Sequence, residues 1–400
     1  MYPDAPTPNP AGGSYPYQGA TVAYRPPKRR SAIKIVFAVF AALVAALLGA
    51  IVLLLIGAET GMAALIVAMV VAMLPVPVYI MLILWIDRYE AEPLWMLALT
   101  FFWGATVAVF AAYFLNTFSA IAVYLTTGSE IAAKLLGAVI IAPFFEELSK
   151  GFILFVLFFW KKDEFDGVVD GFVYASMVGL GFAMTENFQY YGRVISQGGL
   201  LSTDFQEIYL VRGGLAAYSH PLFTSMTGIG LGVARQVRNG FVKFIMPLIG
   251  LGLAMFLHFL WNFTASLSES LAGFLAIYAV LMVPIFLITL GIVFFALLRE
   301  GRVVREYLLP DLQRGMFTQE EYERLVTIRG RLGSSLRAFR SGGIGVWRAR
   351  MQYNQAASEL AFHRSRVARG VVQMDQEMAA REYAIVQLLM ELRQRLGQHF

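Results

Sequence analysis

Long apolar segments alternate with short polar ones over most of the chain. Each apolar segment is long enough, at 1.5 Å per residue, to cross the roughly 30 Å hydrocarbon core of a bilayer. We therefore predict an all-α fold, a polytopic membrane helix bundle of about eight transmembrane helices. The predicted spans are residues 35–57, 62–86, 94–115, 132–160, 168–190, 215–233, 244–265 and 271–298.

The two ends of the chain lack this pattern, so we divide the chain into residues 1–31, 32–298 and 299–400. Residues 1–31 are rich in Pro, Tyr and Gly and predict a disordered cytoplasmic tail. Residues 299–400 predict an Arg-rich helical cytoplasmic region, in which Thr318 as N-cap and Glu321 at N3 mark one helix start. That region could lie on the inner leaflet, bind a partner, or be a solvated tail with no separate role.

Composition supports a membrane protein and excludes several classes of site. The chain is 58% hydrophobic and 15% charged, whereas soluble domains average about 45–50% apolar and about 25% charged residues. It has no cysteine, which excludes disulfides, thiolate zinc sites and cysteine nucleophiles. A net charge of +5 suits attraction to anionic lipid better than nucleic-acid binding, so we expect the lipid bilayer and no nucleic acid as partners.

Basic residues mark alternate loops and predict the topology. Arg88, the pair Lys161 and Lys162, and the set Arg235, Arg238 and Lys243 lie in every second loop, and the N-terminal segment is also basic. Positively charged loops stay on the cytoplasmic side. We therefore expect a multi-pass protein of the cell membrane with both termini cytoplasmic.

A small set of polar residues lies inside the predicted spans, where charged side chains are rare and usually functional. They come from four different spans at compatible depth in the central or outer part of the membrane. We expect them to converge on one cavity. The set is Glu146, Glu147 and Lys150 in the fourth span, Glu186 in the fifth, His220 in the sixth, and His258 and Asn262 in the seventh.

The spacing of the charged residues in the fourth span separates two roles. Lys150 is i+4 from Glu146 and i+3 from Glu147, so it can reach either carboxylate. Neighbouring residues diverge by about 100° around a helix, so the two glutamates cannot point at one place. One carboxylate is expected to face the cavity for chemistry, and the other to form a structural ion pair with Lys150.

Two hydrolytic mechanisms suit this set of side chains. Glu146, Glu186, His220 and His258 could bind a zinc-like divalent metal and leave a position for an activated water. Alternatively, Glu146 acts as general base on a water without metal, and His258 with Asn262 holds the oxyanion. Both routes hydrolyse an amide, and the sequence has no HExxH, GxGD or GxSG motif for other membrane proteases.

The same residues are also compatible with roles that involve no hydrolysis. A single histidine near a span end is often only packed, and an EExxK segment can be a purely structural ion pair. An ion- or proton-coupled membrane transporter would also use a buried Glu/His relay, although such folds usually contain internal repeats and none is visible here. A third class of function is a scaffold protein, in which the cluster of polar residues would have no catalytic activity.

Four motifs together resemble the PrsW family of intramembrane proteases, a relative of the CAAX prenyl endopeptidases. They are EELSK at 146–150, GFAMTEN at 181–187, SHPLFT at 219–224 and HFLWN at 258–262, and the IDRYEAEP segment at 86–93 is also similar. The resemblance covers roughly residues 75–270. It implies that residues 32–298 form a transmembrane protease core that cleaves a membrane-associated protein, such as a single-span anti-sigma factor.

The resemblance also implies roles for individual residues. Glu146 would activate water, Glu147 with Lys150 would support it, and His258 with Asn262 would stabilise the transition state or supply a metal ligand. One departure concerns the FxxxE motif that ends at Glu186, where CAAX enzymes have FxxxH. The PrsW group shares this glutamate, which leaves open whether His220 takes over as its partner.

Overall fold

The computed structural model describes residues 32–162, 164–268, 270–370 and 375–397, and every regular element in these ranges is a helix. The predicted all-α fold is therefore confirmed. The predicted disordered tail at 1–31 lies outside the described residues.

The first half of the chain forms helices that enter and leave the bundle with short breaks. In chain order they are α1 (Ala32–Thr60), α2 (Met62–Met73), α3 (Val76–Ile86), α4 (Leu94–Phe102), α5 (Val109–Thr127), α6 (Glu130–Leu136), α7 (Ala142–Trp160) and α8 (Val168–Gly198).

The second half completes the bundle and continues beyond it. Its helices are α9 (Thr203–Tyr209), α10 (Ser219–Gln236), α11 (Gly240–Leu267), α12 (Leu271–Ile277), α13 (Val283–Gln313), α14 (Gln319–Val326), α15 (Ile328–Ala368) and α16 (Gln376–Leu396).

Six helical segments in the described ranges are long and apolar enough to cross a membrane, so the predicted number of eight is not confirmed. The six are Ala38–Thr60, Met62–Ile86, Leu94–Thr127, Val168–Gly198, Gly240–Leu267 and Leu271–Gln313. The fourth and sixth predicted spans correspond to α7 and α10. Helix α7 differs from the six in carrying three charged residues, and α10 in its many small and polar residues.

Helix α8 is the centre of the bundle, since 89% of the residues in its most apolar window are buried. Glycines bring its backbone against that of α10. A Cβ added at Gly171 would lie 2.0 Å from the carbonyl oxygen of Gly228, and one at Gly228 would lie 1.9 Å from that of Gly171. Small residues of this kind allow the close helix contacts that hold membrane bundles together.

Four π turns interrupt the described helices, at Trp103–Ala108, Gly137–Ile141, Leu210–Leu215 and Tyr278–Met282. Such turns add one residue to a helical turn and often occur at functional sites. The turn at Gly137–Ile141 joins α6 to α7 and comes just before Pro143, which has no N–H to donate to the preceding turn. The regular α-helical hydrogen bonding is therefore interrupted just before α7.

The C-terminal helices form a folded unit with its own apolar core. This core joins residues of α13, α14, α15 and α16 to Tyr89 from the segment between α3 and α4. The predicted capping box is confirmed, because Thr318 Oγ1 accepts from the Glu321 backbone N–H at 3.1 Å and the Glu321 carboxylate accepts from the Thr318 backbone N–H at 2.6 Å. Helix α13 runs without a break across the predicted domain boundary at 298/299.

Candidate active site

A cavity of about 200 Å³ lies between α5, α7, α8, α10, α11 and the π turn before α10. Of the seven residues predicted from the sequence, five line it and two lie directly behind it. Those lining it are Glu146, Glu186, His220, His258 and Asn262. Glu147 and Lys150 are the two behind it, and both are fully buried.

Glu146 presents its carboxylate to the cavity and is only loosely held there. Its side chain accepts from Asn116 Nδ2 at 3.4 Å and from Lys150 Nζ at 3.4 Å. Both distances exceed the usual 2.7–3.2 Å of an N–H···O bond. The Glu146 oxygens therefore keep acceptor capacity for a water or another ligand in the cavity.

Glu147 points away from the cavity, as the 100° step between helix neighbours requires. Its carboxylate accepts from Lys150 Nζ at 2.8 Å and from Thr224 Oγ1 at 2.9 Å, and it contacts His258 Nδ1 at 2.9 Å. The Thr224 hydroxyl thus connects α10 to this carboxylate of α7. Three short contacts hold Glu147 in one position.

The Lys150 ammonium connects these groups to the opposite wall. Its Nζ lies 3.0 Å from His220 Nδ1 and 3.7 Å above the Phe182 ring. An ammonium can only donate, so His220 Nδ1 is the acceptor and His220 Nε2 carries the hydrogen. That Nε2 donates to the Glu186 carboxylate at 2.8 Å.

His258 has the opposite tautomer. Because the Glu147 carboxylate only accepts, His258 Nδ1 carries the hydrogen and Nε2 is left with a free lone pair. His258 Nε2 faces the Glu146 carboxylate at 3.8 Å, too far for a hydrogen bond. Glu147 thus fixes the orientation of the ring and aims its basic nitrogen at the cavity, which is how a carboxylate supports a metal-binding or proton-accepting histidine.

Glu186 is paired with an arginine that was not predicted from the sequence. Arg212 lies in the π turn Leu210–Leu215, forms an ion pair with Glu186 and donates from Nε to Asn187 at 2.8 Å. Its guanidinium also lies 3.7 Å from the Tyr190 ring centre. The feature of the sequence that could have indicated Arg212 is its position directly before two glycines at the start of an apolar segment.

Asn262 holds the π turn before α7 against α11. Its Nδ2 donates to the carbonyl oxygen of Ala138 at 2.8 Å. An amide has two N–H groups, so one remains for the cavity. Asn116, the single asparagine of α5, was also not predicted from the sequence, although it contacts Glu146.

Three of these residues could hold a metal ion. The donor atoms of Glu146, His220 and His258 all lie within 4.8 Å of one another, and the three residues are buried. Two imidazoles and one carboxylate with an open fourth position are a donor set of catalytic zinc. The set fits such an ion, and Glu147 would orient His258 toward it. To bind the ion, His220 would first have to lose its contact with either Lys150 or Glu186. Glu186 lies outside this group, and the four-ligand set stays a prediction.

The chain is similar in sequence to one family of known proteins. The family model described as PrsW family intramembrane metalloprotease matches residues 92–289. Two proteins named Protease PrsW are similar to the chain: one from Geobacillus kaustophilus at 32% identity over 149 residues, and one from Oceanobacillus iheyensis at 27% over 208 residues. These alignments cover 37% and 50% of this chain, and 58% and 82% of the relatives. The chain thus spans less than two thirds of the first relative's length. No solved structure matches significantly.

Proposed function

We propose that the chain is a member of the PrsW family of intramembrane proteases, to which it is similar, and an endopeptidase that hydrolyses a peptide bond of a membrane-associated protein. The observation that carries the proposal is the meeting of Glu146, His220 and His258 at one buried cavity. A carboxylate with free acceptor capacity and an imidazole with a free nitrogen are the groups that activate water and move its proton. Their burial among apolar helices suits a substrate that arrives through the bilayer.

We assign the water-activating role to Glu146. Its carboxylate takes a proton from a water as the water oxygen bonds to the substrate carbonyl carbon. The negative charge then on the carbonyl oxygen accepts the spare N–H of Asn262, as in an oxyanion hole. When the carbon–nitrogen bond breaks, Glu146 returns its proton to the leaving amine.

The other residues hold this arrangement in place. Glu147 and Lys150 are positioning residues, because Glu147 fixes the ring of His258 and Lys150 connects it to His220. Arg212 holds Glu186, and Glu186 in turn fixes the second imidazole.

A divalent metal such as zinc would be held by Glu146, His220 and His258, and when bound it would lower the pKa of a bound water and polarise the scissile carbonyl. In that case Glu147 and Glu186 remain the orienting carboxylates of the two histidines. The sequence analysis also suggested Glu186 as a fourth ligand of the metal, and this four-ligand site remains part of the proposal.

For the whole protein we propose a multi-pass cell-membrane location with both termini cytoplasmic, in agreement with the basic residues in alternate loops. The substrate would then be a protein with a single membrane span. Its cleavage site would lie near the depth of Glu146.

The test compares cells that produce the wild-type chain with cells that produce Glu146→Gln. New protein N-termini within or beside membrane spans are identified by terminal peptide mass spectrometry. We expect them only with the wild-type chain, since the amide cannot accept the water proton. Glu130→Gln, at an exposed site on the preceding helix α6, is the matched control and is expected to give the wild-type set.

Elemental analysis of the purified chain distinguishes the two mechanisms. Stoichiometric metal that is lost in His258→Ala supports the metal-bound form, whereas a metal-free chain that still cleaves supports the general-base form. An unchanged set of N-termini in Glu146→Gln contradicts the proposed function itself.

A further inference from the structure

Helix α15 is folded back on itself at its middle. Gly343 has φ +66° and ψ −158°, which separates an arm at 328–342 from an arm at 344–368. The arms are antiparallel: Ser335 Oγ contacts Met351 Sδ at 3.5 Å, and Arg331 donates to Ser358 Oγ at 2.6 Å. We call residues 332–351 the hairpin tip, and residues 328–331 with 352–368 its base.

The hairpin tip exposes the apolar residues that an ordinary soluble helix would bury. On each arm they follow helical spacing, at i, i+4, i+7 on the first and at i, i+3, i+7 on the second, so each forms one stripe. Small residues of the first arm, such as Ser334 and Ala338, are buried instead. The exposed stripes are Leu332, Leu336 and Phe339, and Ile344, Trp347 and Met351, each 38–60% exposed.

The charge of the hairpin tip has one sign. It contains four arginines and no Asp, Glu or Lys. Arg337, Arg340 and Arg348 are exposed, and within the part of the chain that the structure describes none of these three forms an ion pair. A positively charged surface with exposed Trp, Phe, Leu and Ile is typical of helices that lie in the headgroup region of a membrane.

Contacts at the base of the hairpin keep it beside the membrane bundle. Arg331 donates to the carbonyl oxygen of Arg88 at 3.1 Å, and Arg366 forms an ion pair with Glu90. Arg331 also donates to Ser358 of the second arm, so both arms are connected to the segment between α3 and α4. That segment joins two candidate spans and therefore lies at one surface of the membrane. The base of the hairpin is thus held at this surface.

We propose that the hairpin tip binds the anionic phospholipid surface of the membrane that holds the bundle, with its two apolar stripes in the headgroup region. The occupant is a lipid surface because the arginines would face lipid phosphates without an acidic competitor. The two ends of the hairpin thus have different attachments: the base is attached to protein, and the tip to lipid.

The cysteine-free sequence allows a direct test on the full-length chain. Ile344→Cys is labelled with an environment-sensitive NBD dye, and the protein is reconstituted in nanodiscs of phosphatidylcholine with or without phosphatidylglycerol. With phosphatidylglycerol we expect a blue-shifted emission that lipids carrying a doxyl quencher reduce. Both effects should be lost in phosphatidylcholine alone and in a variant with Arg337→Gln, Arg340→Gln and Arg348→Gln.

The matched control is Gln387→Cys, at an exposed position of α16, whose label should stay in water in both discs. Equal, unquenched emission from the two positions in phosphatidylglycerol discs overturns the proposal. A blue shift that doxyl lipids do not quench also overturns it, and would instead indicate a protein contact at the tip.

Discussion

At the residue scale, Glu147 is the most constrained group of the candidate site. Its carboxylate meets one ammonium, one hydroxyl and one imidazole N–H, and its side chain has no exposed surface. Breaking a buried ion pair leaves the remaining charge without its partner, which usually costs more than the pair contributed. Lys150 would be that remaining charge.

We predict that Glu147→Gln lowers the free energy of unfolding by about 3–5 kcal/mol. The amide nitrogen would face groups that are themselves donors, so at least one hydrogen bond is lost. Chemical denaturation in detergent micelles measures the change. Glu130→Gln serves as the reference and should lie within about 0.5 kcal/mol of wild type, as exposed substitutions usually do.

A double variant separates stability from chemistry. Glu147→Leu together with Lys150→Leu removes both buried charges and should recover much of the stability lost in Glu147→Gln. Cleavage should remain absent, because His258 and His220 each lose an orienting contact. A stable and fully active double variant would contradict the positioning role of this pair.

The site residues that stood out in the sequence are those that break an apolar run. Glu146, Glu147 and His258 were found in this way, since a charge or imidazole inside a span is conspicuous. Arg212 was not, because it lies in the longest loop of the predicted topology, where an arginine is ordinary. Arg212 reaches the cavity because the π turn Leu210–Leu215 places it beside the bundle, and this turn was not predicted.

At the scale of elements, the contact between α8 and α10 determines whether the bundle can form. The carbonyl of each glycine occupies the place where a side chain of the other would begin. We predict that Gly228→Val prevents the folded state, because a Cβ at 1.9 Å from the Gly171 carbonyl oxygen has no room and two helix backbones would have to separate. The measurement is the yield of monodisperse protein in size-exclusion chromatography after detergent extraction.

Gly252→Ala is the control for this prediction. Gly252 lies in α11 with nothing within 4 Å of an added Cβ, and alanine favours helix over glycine by about 0.5–1 kcal/mol. We expect unchanged yield and equal or greater stability. Normal yield for Gly228→Val would show that α8 and α10 are not as close as described.

The type and position of most helices could be predicted, but their local irregularities could not. Apolar length locates a span, and the Thr318 capping box locates a start, because both depend on local sequence. A π turn adds a single residue to a long apolar segment, and no change in hydrophobic pattern marks it. The predicted number of eight spans is not confirmed, since α7 and α10 carry the charged and polar groups of the site and are not among the six segments that qualify by length and apolar composition.

At the scale of the whole molecule, the C-terminal helices contact the membrane bundle through a buried acidic segment, residues 87–92. Burial raises the pKa of Asp87 well above its usual range, and the charge of Asp170 raises it further. Burial also raises the pKa of Glu92, with added repulsion from Asp170 and Asp87. Glu300 of α13 faces the same group, and Arg366 supplies a cation there.

These shifts predict that stability falls as pH rises. A carboxyl whose pKa is raised in the folded state keeps its proton there and releases it on unfolding. Its contribution is complete below the ordinary carboxyl pKa of about 4 and is lost as pH rises through the raised value. We therefore expect a lower melting temperature at about pH 8 than at about pH 5, as measured by differential scanning fluorimetry in detergent.

Asp87→Asn tests whether Asp87 is one of the groups that cause this dependence of stability on pH. Its amide oxygen can still accept from the Glu92 backbone N–H, which lies 2.8 Å from Asp87 Oδ2, but it has no proton to lose. The decrease in melting temperature with pH should be smaller in this variant, and its stability at neutral pH should be higher. An unchanged slope would place the titrating group elsewhere in the chain.

The π turn between α6 and α7 lets the chain carry one surplus residue just before the acidic helix. Because that residue is held within a single turn, the helix that follows keeps the phase it would have without it. Deleting Val139 would therefore close the segment as an ordinary α turn and leave Glu146, rather than Glu147, facing the cavity. A single codon lost from this turn should thus leave the proposed active centre intact, although it removes a residue seven places before the acidic pair begins.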